Sequence, residues 1–194
     1  MSPQLQHALA VLKGHFNQAS DKIDNTVLEL LFRERLFKCF LPTELNGLGL
    51  SLTETMAVIR ECAYINGSLG WLVQIGNGGN YFASCFPEPI SKELFSPLSA
   101  VIAGSGAPSG SAVKTEDGYI LSGNWRYCSG ADYASLFTVT KTVAKKERPM
   151  PMRRTGRASW AIASTTGRTW HAPWTAGGCS WPLARWMRAR RTQR

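Results

Sequence analysis

The sequence predicts an α+β protein. An N-terminal all-α helical domain is expected over residues 1–97, an incomplete antiparallel β-domain over 98–143, and a disordered tail over 144–194. Three observations carry this reading. Apolar residues recur at helical spacing through the first half of the chain. Near residue 100 the spacing shortens to β-compatible runs broken by glycine-rich turns. The charge then changes abruptly: residues 1–144 hold 10 Lys/Arg and 12 Asp/Glu, whereas residues 145–194 hold 12 Lys/Arg and a single acid, Glu147. The formal net charge of +9 therefore belongs to the last 50 residues, which also carry five of the seven Trp. Helices followed by strands, without alternation, make a segregated α+β layout and not βαβ winding.

The elements follow in order. Leu5, Ala8, Leu12 and Phe16 fall on one helical face. Asn25 is placed to cap a second helix with Val27, Leu28, Leu31, Leu36 and Phe37 as its stripe, stopped at Pro42. Residues 42–50 form a loop in which Gly47 and Gly49 permit positive φ. Ser51-Leu-Thr-Glu54 is a capping box, and Leu52, Met56, Ile59 and Ala63 form the buried face of the helix it opens. Gly67 ends that helix, and Ser68 caps a fourth through Trp71, Leu72 and Ile75. Gly76-Asn-Gly-Gly-Asn80 either interrupts the fourth helix or lets something approach its backbone closely.

A helical turn near Ile90–Phe95 follows Pro87 and Pro89. Ser99–Ala103 is the first β-compatible run, and residues 104–111 read as a loop. Ala112–Thr115, Tyr119–Ser122, Trp125–Cys128 and Leu136–Thr142 read as strands, with a hairpin turn at 116–118. The last of these strands is expected to end the sheet as an exposed edge. Beyond Lys145 no period is found.

With 44% hydrophobic and 10% aromatic residues the chain can bury a core, which excludes collagen-like and wholly disordered classes. The five cysteines (Cys39, Cys62, Cys85, Cys128, Cys179) are odd in number and form no CxxC pair, and the three histidines cluster with nothing. No metal site and no disulfide framework are expected, and the cysteines read as buried reduced thiols. The N-terminus lacks the basic start and apolar run of a secretion signal. No apolar run approaches the ~20 residues of a membrane helix. The expectation is a cytoplasmic protein with no membrane partner.

Several common chemistries are excluded. Gly104-Ser-Gly106 fails as a dinucleotide fingerprint, because Ser109 stands at the third glycine and strands follow. There is no phosphate-cradling GxxxxGK[ST] and no GxSxG elbow. Glu54 and Glu61 share a helix, but Glu54 is already used as a cap. By composition alone, residues 103–112 are a turn and residues 123–130 an aromatic-rich strand.

The order of five segments changes that reading. They are Leu41-Pro-Thr-Glu-Leu-Asn-Gly-Leu-Gly-Leu-Ser51, Ala63-Tyr-Ile-Asn-Gly-Ser-Leu-Gly-Trp71, Ala103-Gly-Ser-Gly-Ala-Pro-Ser-Gly-Ser111, Gly118-Tyr-Ile-Leu-Ser-Gly123 and Tyr127-Cys-Ser129. Over residues 20–142 they resemble, in sequence and in order, the acyl-CoA dehydrogenase superfamily, which includes two-component flavin monooxygenases. Two positions depart from its pattern: Gly106 replaces an acid, and Ala112 replaces an Asp. Gly123, Trp125, Ser129 and Gly130, as G-x-W-x-x-x-S-G, are more similar to the monooxygenase branch.

The resemblance implies a flavin-dependent oxidoreductase. It would oxidise a CH–CH group of an acyl-CoA-like substrate or hydroxylate through a flavin peroxide, and it would be present here as a truncated, inactive fragment. It implies FAD, or alternatively FMN as a co-substrate. Ser105, Ser111, Tyr127 and Ser129 would bind the cofactor: Ser105 as the hydroxyl near the flavin, Tyr127 as the aromatic against the ring, Ser129 as a hydrogen-bonding hydroxyl. No catalytic residue is assigned, because the carboxylate of the dehydrogenase branch belongs to a C-terminal helical bundle without a counterpart here. Implied partners are a small-molecule substrate and a flavin reductase or electron-transfer protein. A homo-oligomer is implied for full-length members and not for this fragment.

The tail has three readings: a basic arm with Trp stacking on bases and Arg on phosphates, a membrane-surface segment, or the product of a shifted reading frame. The abrupt charge switch favours the last, so nucleic acid is not an expected partner. The competing functional class is a helical binding module whose Trp/Arg arm grips nucleic acid or another polyanion.

Overall fold

The computed structural model describes residues 2–15, 23–115 and 118–143, and in the tail 158–164, 168–172, 174–175, 178–179 and 187–188. It divides into two units, Met1–Val101 and Ile102–Arg194.

The first unit contains helices α1 (Pro3–His15), α2 (Asn25–Arg33), α3 (Leu52–Ile65), α4 (Gly67–Gly79) and α5 (Glu88–Phe95), with 3-10 turns at Thr43–Leu45 and Asn80–Cys85. In α1, Leu5, Ala8 and Leu12 are buried as their spacing requires, together with Leu9; Phe16 lies outside the described residues. The cap of α2 is Asp24 and not Asn25: its carboxylate accepts from the Thr26 N–H at 2.5 Å, and that contact holds its pKa down. Pro42 does not stop this helix. It ends at Arg33, where Arg35 enters the left-handed region (φ 59°), with Leu36 N–H bonding the Leu31 carbonyl and Arg35 N–H that of Phe32. This is a Schellman termination without its usual glycine. Leu36 and Phe37 are buried beyond it.

The capping box of α3 is present: Ser51 Oγ accepts from Glu54 N–H at 3.3 Å, and Glu54 Oε2 accepts from Ser51 N–H at 2.9 Å. Its buried face is corrected. Thr55, Val58, Ile59 and Cys62 are buried, whereas Leu52 is 66% exposed, Met56 52%, and Ala63 is exposed. Only Ile59 belongs to both faces. Apolar residues spread round more than half of this helix, so periodicity alone does not say which arc its neighbours cover. Gly67 and Ser68 do not make the next junction. Asn66 closes α3 and caps α4, its side-chain oxygen accepting from Ser68 and Leu69 N–H at 2.8 and 3.3 Å.

Residues 76–79 continue α4, so the alternative of close approach holds. What approaches is the chain's own segment after α2. A Cβ on Gly76 would lie 2.6 Å from Phe37 Cδ1. Asn77, fully buried, accepts from Cys39 N–H at 2.7 Å and donates to the Leu36 and Val73 carbonyls. Asn80 donates to the Phe37 carbonyl. In the loop that follows, Asn46 and Gly49 adopt left-handed φ near 60°. Gly47 does not; it lies against the Leu41 carbonyl.

The second unit contains β1 (Ile102–Thr115), β2 (Gly118–Gly123), β3 (Leu136–Val143), β4 (Ala158–Ser164) and β5 (Arg168–Ala172), then two-residue strands β6 (Trp174–Thr175), β7 (Gly178–Cys179) and β8 (Met187–Arg188). The main sheet runs β2-β1-β3-β4-β5-β8, and β6 pairs with β7. The hairpin of β1 and β2 closes through Thr115 and Gly118 around residues 116–117, which lie outside the described ones.

Four expectations are corrected. Residues 104–111 are not a loop but the middle of β1, bulged: β1 advances from Ser105 to Gly110 while β3 advances from Val139 to Lys141. The sheet is not wholly antiparallel, because β1 and β3 run parallel, the connection from β2 having crossed β1. Part of the tail is ordered. Ala158–Ser164 pairs antiparallel with β3 from Thr142↔Ala158 to Leu136↔Ser164, and β5 pairs with β4. A seven-residue strand needs only a backbone partner, and so leaves no period in a segment rich in Arg, Pro and Gly. Consequently β3 is an inner strand and not an edge. Among the described residues no helix is long and apolar enough to cross a membrane.

Candidate functional site

The connection 124–135 joins β2 to β3 across β1 and is held at several points. At its start, Ser109 Oγ donates to the Asn124 carbonyl at 2.7 Å. The Trp125 indole then lies against the paired glycines of the hairpin: a Cβ on Gly110 would come within 2.0 Å of Trp125 Cζ2, and one on Gly123 within 3.0 Å. The Cys128 thiol donates to the Trp125 carbonyl at 3.6 Å. At the far end, Ala131 N–H bonds the Cys128 carbonyl, and Tyr133 and Ala134 N–H bond that of Gly130, itself at φ 83°. Trp125–Cys128 is therefore not a strand. Aromatic residues favour strands, but here the indole turns back onto β1, and left-handed Tyr127 cannot continue an extended run.

Between these anchors stands Tyr127. Its φ is 60° and the residue is 92% exposed. A left-handed conformation costs a non-glycine residue roughly 1–2 kcal/mol. Holding a large ring in water adds an unrealised burial energy of the order of 2 kcal/mol. Both are kept by anchors on either side. Ser129 lies two residues on, half-buried. Tyr133, also half-buried, has its phenol pushed up to about 12 by burial, with Asp132 adding to the effect.

Ser111 and Ser105 both lie on β1. Ser111 is exposed beside Gly110, its Oγ donating to the Ser122 carbonyl at 3.5 Å. It thus shares the hairpin end on which Trp125 sits. Ser105 is on the other side of the bulge, 6% exposed, opposite Val139 of β3, and its Oγ accepts from Ala107 N–H at 3.4 Å. Ser111 thus lies beside the glycine pair on which Trp125 sits, Tyr127 and Ser129 follow Trp125 by two and four residues in the connection, and Ser105 lies on the far side of the bulge, buried. Among the described residues no group of His, Cys, Asp or Glu could hold a metal. The cysteines that burial perturbs most, Cys39 and Cys62, have thiols pushed up to about 12 and are inert. The seat of Trp125 was missed by sequence reading, although a readable signal existed: glycines at 110 and 123 in strands joined by a hairpin, with a Trp two residues beyond the second.

No protein-family model matches the chain. Over 115 residues it is 30% identical to the oxygenase subunit HsaA of a flavin-dependent monooxygenase from Mycobacterium tuberculosis, covering 59% of this chain and 29% of that protein. The oxygenase component of the FADH(2)-dependent resorcinol hydroxylase of a Rhizobium species is 29% identical over 143 residues, covering 72% and 34%. Among solved structures, XiaF from Streptomyces, in complex with FADH2 and glycerol, matches with a TM-score of 0.71 at 20% identity, over 89% of this chain and 43% of that one. The chain spans about a third of the length of these curated relatives. The resemblance read from the motifs is borne out: the homologues are oxygenase subunits of flavin-dependent monooxygenases, and over the part it spans the chain has their acyl-CoA dehydrogenase-like fold.

Proposed function

We propose that this chain contributes the flavin-facing sheet of the oxygenase component of a flavin-dependent monooxygenase, working on reduced FAD delivered by a partner reductase. The observation that carries the reading is Tyr127, an aromatic residue held 92% exposed in a strained conformation. An isoalloxazine needs a flat apolar face and a few hydrogen-bond donors at its polar edge. Tyr127 offers the first, and the hydroxyls of Ser129 and Ser111 would offer the second, Ser111 Oγ exchanging its 3.5 Å contact with the Ser122 carbonyl for the flavin. Ser105, buried beyond the bulge, would act from beneath β1. When bound, the reduced flavin supplies the electrons that activate oxygen. The role of this chain's residues is to hold the ring, orient it, and place donors where negative charge accumulates.

The names of the relatives support a small aromatic substrate over an acyl-CoA, since one of them is a resorcinol hydroxylase. The binding-module alternative finds no support among these relatives, and two segments of its supposed arm belong to β4 and β5. With Tyr127 open to water, the described residues close no dry pocket over it, which oxygen activation requires. It is expected to bind flavin weakly and to turn over no substrate.

The test is an anaerobic titration with reduced FAD, comparing the wild type with Tyr127→Gly. Glycine relieves the left-handed strain, so stability should stay level or rise by up to about 1 kcal/mol. Loss of the ring should weaken flavin at least about tenfold, as expected for ~1.4 kcal/mol of lost stacking. Equal affinity in the two proteins would remove Tyr127 from the site.

A further inference from the structure

We propose that Trp125 is a positioning residue: its indole, seated on Gly110 and Gly123, clamps the β2–β3 connection so that Tyr127 presents its ring. The inference rests on the flavin reading for what Tyr127 faces, but the clamp itself stands on geometry. The two glycines are directly paired across the hairpin, Gly110↔Gly123. Their hydrogens make the flat floor on which the ring lies, since a methyl at Gly110 would penetrate the indole to 2.0 Å. A strand glycine with such an approach marks a close contact that a side chain would forbid.

The clamp is placed to act on Tyr127. Ser109 fixes the Asn124 carbonyl on one side of the indole, and the Cys128 thiol fixes the Trp125 carbonyl on the other. The left-handed φ of Tyr127 lies inside that bracket. A strained residue persists only where its surroundings over-determine it. Without the indole, the segment 124–128 loses its seat on the glycine pair of β1 and β2, and Tyr127 can relax to extended backbone. Trp125 touches no reacting group in this account; it acts through Tyr127.

The experiment uses trypsin on the full chain, with fragments identified by mass. Arg126 is exposed, and the bond from Arg126 to Tyr127 lies in the clamped segment. Cleavage there requires local opening, whereas cleavage after Arg168, in β5 of the same sheet, reports general loss of structure in this unit. In Trp125→Ala and in Gly110→Ala, cleavage after Arg126 should rise at least about tenfold relative to cleavage after Arg168. Trp125→Phe should restore most of the protection, because a smaller ring still fits the glycine floor. The double variant Trp125→Ala/Gly110→Ala should be no faster than Trp125→Ala, since both changes break one contact.

Unchanged cleavage in both single variants would overturn the clamp, as would fully independent effects in the double variant. Titration with reduced FAD separates the two levels. Equal affinity in the wild type and Trp125→Ala, with the segment loosened, would overturn positioning. No binding even in the wild type would sink the flavin reading and leave the clamp to be judged by proteolysis.

Discussion

Lys38 shows how one side chain ties distant parts of the helical unit together. It is fully buried, and its Nζ donates to the carbonyls of Leu45, Phe95 and Ser96 at 3.3, 2.5 and 3.3 Å. The last two close α5, where the helix dipole favours a cation. Burial nevertheless pushes its pKa down to about 8, and nearby Arg35 pushes the same way. The sign of the consequence follows from proton counting. In the unfolded chain the amine keeps its proton to about 10.5, whereas the folded one releases it near 8. Between those values the unfolded state binds more protons, so raising the pH favours folding. Urea unfolding at several pH values should therefore show the wild type gaining on Lys38→Met between pH 8 and 10.5, by at most about 1.4 kcal/mol per pH unit. A difference that stays flat would show that the amine keeps its proton when folded. Nothing in the sequence singles out this lysine, because its partners are backbone carbonyls, and carbonyls leave no mark on residue type.

At the scale of elements, local signals were legible and mutual ones were not. The capping box at Ser51 and Glu54 closes within four residues, so the sequence contains it whole. The face that α3 buries depends on what packs against it, and that information lies elsewhere in the chain. Replacing Ile59 by Ala should cost about 2–5 kcal/mol, and Met56→Ala should stay within about 0.5 kcal/mol. Urea denaturation of the two variants checks both, and a costly Met56→Ala would restore the face read from periodicity. The same contrast holds at Gly76-Asn-Gly-Gly-Asn80. The glycines left open an interruption or a close approach, and only the structure shows the segment Leu36–Cys39 bonded to Asn77 and Asn80. In the connection after β2, Tyr127 and Ser129 were singled out only through the order of motifs. Trp125 was misread because a strand-favouring residue there serves as a clamp.

For the whole molecule, the tail is the largest revision. The charge switch near residue 145 is real, yet β4 pairs with β3 along seven positions and turns that strand into an inner one. A chain ending at residue 144 would leave β3 as a bare edge, the arrangement that invites strand-to-strand association. Sedimentation at increasing concentration should show the shortened chain associating where the full chain does not; equal behaviour would mean that β4 contributes little cover. At the opposite edge of the sheet, reduced flavin is proposed to sit on the β1–β2 hairpin and the connection beyond it. Hydrogen–deuterium exchange with and without saturating reduced FAD, under anaerobic conditions, tests this most directly. Exchange should slow in residues 105–111 and 124–130, with α3 and α4 unchanged. Protection confined to the helices, or none in those two segments while flavin is bound, would contradict it.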